Sequence, residues 1–369
     1  MKYCSLERSH FISFEDVDLK VLFEEDIKVF ARLHVEPHAY LFIDEFQYAR
    51  EGGKQLKYLY DTYPGKKIII SGSSAADLTV EAVKFLAGRI FLFTLLPFSY
   101  GEFLRAVNPD LHALFEGMAP SAPISEPVHK QLIAVMRDYL RYGGYPHVIT
   151  ASSDDEKREV LKNLVNVLLL RDIRDVSGIA DETVLYKLLR LLAFQTGSMA
   201  SYTELANASG LRDRRVREHL AAIEKTFVLR QVYPFFSNPR TEIVKNPKIY
   251  YLDIGLRNAV MNDFRGADER ADRGALVENF VLTELLKNGR QVKYYRSKSQ
   301  AEVDFILDER LPVEVKATPV KGVSRSYRAF VDRYAPERGY VLSTGPSSRL
   351  MVKDCVTHIV PAYLAGMIE

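Results

Sequence analysis

The N-terminal third of the chain alternates between short apolar runs and segments with helical periodicity. HFISF, YLFID and KKIII have the length of strands, and the segment DLKVLFEEDIKVF between the first two places apolar residues three and four positions apart. Because strands and helices that alternate form βαβ units, this pattern predicts an α/β fold with a parallel sheet. A further apolar run, RIFLFTLL, ends at Pro97 and is predicted to be another strand.

The composition is that of a folded multidomain protein. The 369 residues are enough for two to four units of roughly 100–150 residues each. The net charge of +2 means that any contact with nucleic acid must come from a local cluster. Cys4 and Cys355 lie at opposite ends of the chain, and no apolar run reaches the ~20 residues of a membrane span. We therefore expect a cytoplasmic protein with no membrane segment.

The pattern along the chain changes at three places. Residues 116–130 are rich in Pro, Ala and Ser, and long amphipathic helices follow them. Further on, a helix, a turn at Gly210, a second helix and strand-like sequence are typical of a winged helix-turn-helix. A helix and the short strands VKYYR, AEVDFIL and LPVEVKA come last. The predicted units are an α/β module at 1–115, a helical lid-like module at 116–184, a winged helix at 185–245 and an α/β domain at 246–369.

An acidic pair closes the strand YLFID. Asp44 and Glu45 stand at the carboxyl end of a predicted parallel strand, which is where open α/β sheets bind ligands. Asp44 is a candidate ligand for magnesium, and Glu45 a candidate for polarising the attacking water. The next strand ends in Ser71, Ser73 and Ser74, and a hydroxyl group there can sense a terminal phosphate. The alternative is a strand that simply ends in solvated acids.

The phosphate-binding half of such a site is not found in the sequence. A loop of the form GxxxxGK[ST] should precede the acidic strand, and the 38 residues before Ala39 do not contain one. The Gly-Lys-Lys at 65–67 lacks the serine or threonine for magnesium, and the Gly-Lys at 53–54 is followed by glutamine. ATP binding is therefore expected only if a phosphate-binding loop lies upstream.

Arginines crowd the start of the second helix of the predicted winged unit. The positive end of the helix dipole favours phosphate at this position, so the cluster predicts contacts with DNA. Two alternatives are a solvated basic face, partly neutralised by Asp213 and Glu218, and a surface that docks a protein partner. The arginines are Arg212, Arg214, Arg215 and Arg217.

The C-terminal strands carry a second group of charged residues. Asp304 lies on one strand of a predicted hairpin, and Glu314 and Lys316 share one face of its partner because side chains alternate along a strand. Two carboxylates and a lysine suit a Mg²⁺ ion beside a phosphodiester, and Glu278 on the preceding helix completes the predicted metal site. Lys316 is the predicted catalytic residue. The alternative is a charged hairpin face.

Four segments together resemble a family of bacterial and archaeal ATPases of the AAA superfamily that carry a C-terminal nuclease-like domain. The segments are LFIDEFQ, ISGSSA, LAGRIFLFTLLPFSYGEF and YGGYP, and the resemblance runs through essentially the whole chain. It implies that Asp44 and Glu45 form the Walker B pair and that Ser73 and Ser74 belong to the sensor-1 region. By the same resemblance, Arg89 is similar to the arginine that follows the next helix of the family.

The resemblance extends to the C-terminal domain and to the start of the chain. The D…ExK arrangement resembles the PD-(D/E)xK nuclease superfamily, although Val303 stands at the position of the proline. In the family the phosphate-binding loop lies just upstream of the segment that resembles FISFEDVDL, so the chain is expected to begin after that loop. The residues that fall on the nuclease motif are Glu278, Asp304, Glu314 and Lys316.

The predicted function follows from these interpretations. The sequence predicts an AAA-type ATPase-like protein that cannot hydrolyse ATP as given and that associates with nucleic acid through a winged helix and a nuclease-like domain. One alternative is a non-enzymatic regulator that binds DNA or a protein partner. The other is a switch driven by a nucleoside triphosphate, whose start lies upstream.

Overall fold

The structure, a computed structural model, falls into two compact units, Met1–Leu95 and Leu96–Glu369. The first unit is of the α/β type, and the second contains helices and two further sheets. None of the helices within the described ranges combines the length and the apolar composition that a membrane crossing requires. The residues described are 8–50, 52–72, 85–86, 88–167, 173, 181–235 and 246–369.

A three-stranded parallel sheet forms the centre of the first unit. Its strands are β1 (Ser9–Ser13), β2 (Tyr40–Asp44) and β3 (Lys67–Ile70), and they lie side by side in that order. Both pairs are parallel, with Ser13 beside Asp44 at the carboxyl ends of β1 and β2. The predicted parallel sheet is confirmed.

Helices connect these strands, as the periodicity predicts. α1 (Val17–Glu25) and α2 (Ile27–Phe30) precede β2, and α3 (Gly52–Thr62) follows it. The buried ring of Phe23 on α1 lies 5.0 Å from that of Phe14 and 5.8 Å from that of Phe46, measured between ring centroids. These contacts hold α1 against the ends of β1 and β2, since Phe14 directly follows β1 and Phe46 is the second residue after β2.

The strand predicted in RIFLFTLL is wrong. Residues 90–96 form no strand, and the side chains of Phe91, Phe93 and Leu95 are 87%, 86% and 95% exposed. A strand needs a neighbour that takes up its backbone N–H and C=O groups. Within the described ranges β3 pairs with β2 alone, and no strand pairs with residues 90–96. The segment therefore has the composition of a strand, but within the described ranges it has no neighbouring strand with which to pair.

Eight helices of the second unit lie between residues 100 and 225 of the described chain. They are α4 (Tyr100–Val107), α5 (Pro109–Glu116), α6 (Glu126–Tyr142), α7 (Pro146–Ile149), α8 (Asp154–Leu164), α9 (Glu182–Phe194), α10 (Tyr202–Ser209) and α11 (Asp213–Lys225). The turn between α10 and α11 is where the sequence predicts it. Gly210 caps α10 at a φ of +79°, in the left-handed region that glycine adopts at low cost.

A two-stranded antiparallel sheet follows α11. It pairs β4 (Leu229–Val232) with β5 (Lys248–Tyr251), and all four residues of β5 are buried. The chain thus runs through a helix, a turn, a second helix and two strands, which is the order predicted for a winged helix. The identification as a winged helix stays a prediction. The predicted domain boundary at 245 falls between the two strands of this sheet.

A six-stranded mixed sheet forms the C-terminal part of the second unit. Its strands are β6 (Val292–Arg296), β7 (Glu302–Leu307), β8 (Leu311–Val315), β9 (Arg338–Ser343), β10 (Ser348–Val352) and β11 (Cys355–Pro361). Their order in the sheet is β10-β11-β9-β8-β7-β6, with the pairs β8–β9 and β9–β11 parallel and the others antiparallel. The three predicted strands β6, β7 and β8 are confirmed.

Three further helices accompany the six-stranded sheet. α12 (Ile254–Met261) and α13 (Arg273–Lys287) precede β6, and α14 (Arg325–Tyr334) lies between β8 and β9 along the chain. The rings of Tyr100 on α4 and Tyr139 on α6 pack edge-on against Phe280 of α13, at 5.9 and 5.5 Å between centroids. Residues 100–115 thus share a core with the C-terminal sheet, although the sequence pattern assigns them to the N-terminal module. The four-domain division stays a prediction.

We predict that Gly255→Ala destabilises the chain by about 1–3 kcal/mol, because the added methyl group has no space. A Cβ at Gly255 would lie 2.0 Å from the backbone oxygen of Tyr142, where α12 crosses the end of α6. Gly274, in the first turn of α13, has no heavy atom within 4 Å of its Cβ position and serves as the control. Urea denaturation compares the two variants, and equal midpoints would contradict the close packing of α12 against α6.

Candidate functional site

Two strands of the N-terminal sheet bring polar side chains to the same edge. Asp44 is the last residue of β2, and Ser71 directly follows β3. The hydroxyl group of Ser71 donates a hydrogen bond to Oδ1 of Asp44 at 2.6 Å, and the N–H of Ser71 donates to the oxygen of Ile43 at 2.9 Å. The predicted position of Asp44 at a strand end is confirmed, and its role as a magnesium ligand stays a prediction.

Glu45 has an unusual backbone conformation. Its φ of 53° and ψ of 40° lie in the left-handed region, which costs a residue with a side chain about 1–3 kcal/mol unless its surroundings impose it. The surroundings do so here, because the N–H of Phe46 donates to the oxygen of Ser71 at 3.0 Å and the amide of Gln47 donates to the carboxylate of Glu45. Non-glycine residues in this region are often found at functional sites.

The other residues predicted for this site have different outcomes. Ser73 and Ser74 lie outside the described residues, so their predicted role stays untested. Arg89 contacts Asp61 on α3, with 2.7 Å between the guanidinium nitrogen and the carboxylate oxygen, and its guanidinium lies 5.6 Å from the ring centre of Tyr60. Arg89 is therefore held against α3.

The C-terminal hairpin presents its charged residues as predicted. Phe305 on β7 pairs with Val313 on the antiparallel strand β8. Asp304 comes one residue before Phe305 and Glu314 one residue after Val313, so both point to the opposite face of the sheet from that pair. The ammonium group of Lys316 lies 2.9 Å from Oε1 of Glu314. Asp304 and Glu314 thus share a face of the sheet, and Lys316 pairs with the second of them.

Asp304 is half-buried and lies among several charged side chains. Its Oδ2 accepts the N–H of Val315 at 2.7 Å. Burial, together with the negative charge of Glu278, raises the pKa of Asp304 to about 7, while Lys248, the Val315 N–H and Lys316 act in the opposite direction. Asp304 is therefore close to both Glu278 and the two lysines.

Lys248 and Tyr250 complete this cluster, and the sequence analysis missed both. The ammonium group of Lys248 lies 3.1 Å from Oε1 of Glu278 and 2.6 Å from Oε1 of Glu302, and the hydroxyl group of Tyr250 donates to Glu278 at 2.5 Å. Burial acts to lower the pKa of Lys248, but the carboxylates of Glu278, Asp304 and Glu302 raise it above its ordinary value. The sequence did contain a sign of this cluster, since a lysine stands in the apolar run KIYYL. A tyrosine follows it two positions later, and in a strand the two side chains point to the same face.

The carboxylates do not fit the predicted Mg²⁺ site. Magnesium needs oxygen atoms at about 2.1 Å in octahedral geometry. Across the described ranges, no three His, Cys, Asp or Glu side chains are grouped so that they could hold one metal ion. Each predicted ligand has hydrogen-bond donors instead: Lys248 and Tyr250 for Glu278, the Val315 N–H for Asp304, and Lys316 with the Ser324 N–H for Glu314.

Two of the predicted DNA-contacting arginines are strongly exposed. Arg214 and Arg215 on α11 contact the two carboxylate oxygens of Glu218 at 2.9 and 3.3 Å, and their side chains are 91% and 66% exposed. The hydrogen bond from Arg214 lowers the pKa of Glu218 below its ordinary value. Two positive charges therefore share one negative charge on this surface.

The other two arginines of the cluster lie at its edges. Arg212 immediately precedes α11, and its backbone oxygen accepts the N–H of Val216. The guanidinium of Arg217 lies 3.7 Å from the ring centre of Tyr202 on α10, which is the geometry of a cation–π contact. Arg217 thus helps to join the two helices.

Comparison with family models divides the chain into three matched regions. Residues 2–104 match the model described as an AAA domain. Residues 133–267 and 273–364 match two domains of unknown function, DUF8612 and DUF4143. The first match covers the parallel sheet with Asp44 and Glu45, and the third covers Glu278, Asp304, Glu314 and Lys316.

Similar proteins occur in bacteria and archaea. An uncharacterized protein of Haemophilus influenzae is 28% identical over 286 residues, which are 75% of this chain and 65% of that protein. Uncharacterized proteins of Methanocaldococcus jannaschii and Mycobacterium tuberculosis are 27% and 29% identical over 82% and 79% of this chain, and over 67% and 62% of their own lengths. The chain thus spans about two thirds of the length of these relatives.

We predict that Asp304→Asn reduces the loss of stability between pH ~4 and pH ~7. In that range the folded chain keeps a proton on Asp304 that the unfolded chain releases, because the pKa of Asp304 rises from its usual 3.8 to about 7 on folding. Stability therefore falls as the pH rises through this range. Thermal melts across the range measure the effect, with Asp332→Asn, an exposed partner of Lys353, as the control. Identical pH profiles for the wild type and Asp304→Asn would contradict it.

Proposed function

We propose that the N-terminal unit is a nucleoside triphosphate site of the AAA type. In it, Asp44 would hold the magnesium of the bound nucleotide, which supplies Lewis-acid stabilisation of the phosphate charge, and Glu45 would orient the attacking water. The observation that carries the proposal is the hydrogen bond of 2.6 Å from Ser71 to Asp44, which fixes a carboxylate at the carboxyl edge of two parallel strands. The match of residues 2–104 to an AAA domain supports the same proposal.

The backbone at Glu45 adds support. The hydrogen bond between Phe46 and Ser71 keeps the backbone of Glu45 in the left-handed region. The Cα atom of Glu45 therefore cannot move without breaking this contact between the segment after β2 and the end of β3. Such a group is suited to holding a water molecule in one direction, because little reorganisation is needed when the reaction occurs.

Nucleotide affinity depends on a second element. Backbone N–H groups of a glycine-rich loop and its lysine supply most of the contacts to the phosphates, and no GxxxxGK[ST] segment occurs in the 369 residues. The proposed site is therefore complete only in a form of the protein that carries such a loop. In that form the nucleotide would act as a switch or be hydrolysed.

We predict that the 369-residue chain shows no micromolar binding of ATP with magnesium in titration calorimetry. A form that carries a phosphate-binding loop N-terminal to Met1 should bind ATP and hydrolyse it. In that form Glu45→Gln should keep nucleotide binding and lose turnover, whereas Glu25→Gln, on the exposed end of α1, should change neither. Micromolar binding by the chain alone, or full turnover by Glu45→Gln, would refute the proposed roles.

A second candidate function is association with nucleic acid through α11. The observation that favours it is the pair of exposed guanidinium groups on Arg214 and Arg215, which share the single carboxylate of Glu218. Contacts of this kind would be made to phosphates and would carry little base specificity. The same surface would equally suit an acidic protein partner, in which case the protein would be a non-enzymatic regulator.

We predict that replacing Arg214 and Arg215 by Gln in the whole chain flattens the dependence of DNA binding on salt. Removing one phosphate interaction should reduce the magnitude of the logarithmic slope by about 0.9. Replacing Lys130 and Arg137 on α6 by Gln removes the same charge from another exposed surface and should leave the slope unchanged. Equal slopes for all three proteins would assign the arginines to a protein interface instead.

The charged residues of the C-terminal domain do not support a proposal of metal-dependent cleavage. The residues predicted for it, Asp304, Glu314 and Lys316, do lie on one face of the hairpin. Their carboxylates already accept hydrogen bonds from lysine ammonium and backbone N–H groups, so they form no open set of metal ligands.

A further inference from the structure

Lys248 occupies the centre of the C-terminal carboxylate cluster. It belongs to β5 of the two-stranded sheet, outside the six-stranded sheet that carries Glu302, and its side chain is 2% exposed. The ammonium group bridges Glu278 on α13 and Glu302 on β7, at 3.1 and 2.6 Å. A cation with two carboxylate neighbours from two different elements is the position that a bound metal ion would take in such a cluster.

Cationic side chains already contact three of the four carboxylates of the cluster. Arg296 contacts the second oxygen of Glu302 at 3.3 Å, and Lys316 contacts Glu314 at 2.9 Å. Three cationic side chains thus face three carboxylates, and the fourth carboxylate, Asp304, accepts a backbone N–H. The cations are Lys248, Arg296 and Lys316, and the carboxylates are Glu278, Glu302 and Glu314.

The backbone on both sides keeps Lys248 in place. On one side Lys248 pairs with Val232 of β4. On the other side it forms a bridge with Met199, and the N–H groups of Gly197 and Ala200 donate to the oxygens of Ile249 and Pro247 at 2.9 and 2.8 Å. These contacts fix the backbone of Lys248 on both edges of β5. The ammonium group therefore enters the cluster from a fixed backbone position.

We propose that Lys248 is the resident cation of this cluster and that the C-terminal domain binds no divalent metal there. The lysine replaces the ion that the sequence pattern predicts, and it joins the two-stranded sheet to the six-stranded sheet at the same time. Its attachment is covalent, so it needs no free metal and cannot be removed by a chelator. The resulting site is a closed ion-pair cluster with Lys316, the more exposed lysine, at its rim.

The test uses the whole chain and measures melting temperature with and without Mg²⁺ or Mn²⁺. A metal that binds the folded state raises the melting temperature by mass action. The wild type should show no increase. Lys248→Met should melt at a lower temperature and should regain part of the difference with Mn²⁺, because Glu278 and Glu302 then lack their shared cation.

A buried lysine elsewhere in the same unit provides the matched control. Lys287 on α13 lies 3.8 Å from Glu284 and donates to the oxygen of Phe98 and the hydroxyl oxygen of Tyr139. Lys287→Met should also lower the melting temperature, but it should show no response to Mn²⁺, since only one carboxylate loses a partner.

Calorimetric titration of Mn²⁺ into the wild type decides the matter even if Lys248→Met does not fold. The absence of binding supports the proposal. Saturable binding that disappears in Glu278→Gln would overturn it, because the metal would then share the site with the lysine. An increase in the wild-type melting temperature that Glu278→Gln abolishes would overturn it equally.

Discussion

A buried ammonium group is the interaction on which the arrangement of the second unit depends. Transferring a charged group out of water costs several kcal/mol even after relaxation, so Lys248 is tolerated only where carboxylates surround it. Those carboxylates come from α13 and from β7, and the lysine comes from β5. A helix and two separate sheets must therefore meet at one point. A packing that moved β5 away from both carboxylates would leave Lys248 buried without a partner, which costs about 3–5 kcal/mol.

A second buried network fixes the helices in a similar way. The guanidinium group of Arg257 on α12 donates to the backbone oxygen of Ala193 at the end of α9 and contacts Asp272 at 2.6 Å. Arg270 contacts the same aspartate and donates to Asn258, whose amide donates in turn to backbone oxygens at the end of α6. Hydrogen bonds of this kind have strict geometry, so they specify one packing of the helices where apolar contacts alone would accept several.

Local patterns of the sequence were sufficient to predict much of the fold and part of the candidate site. Alternation along a strand places Asp304 and Glu314 on one face, and an acidic residue at the end of an apolar run places Asp44 at the edge of a parallel sheet. Lys248 could not be predicted in this way, because its partners lie 30 and 54 residues further along the chain and a lysine by itself indicates a surface. The strand expected in RIFLFTLL failed for a related reason. Its composition describes a strand, but pairing depends on a neighbour that composition does not reveal.

The two-stranded sheet has a consequence for dividing the chain into fragments. A cut at the sequence-based boundary of 245 would leave β4 in one fragment and β5 in the other, and each would expose a row of backbone N–H and C=O groups. Unpaired edges of this kind recruit strands from other molecules, so both fragments would be prone to aggregate. A cut at Leu95–Leu96 follows the break between the compact units and leaves every described sheet intact. Residues 96–369 are therefore better suited to separate expression than a fragment that begins or ends at 245.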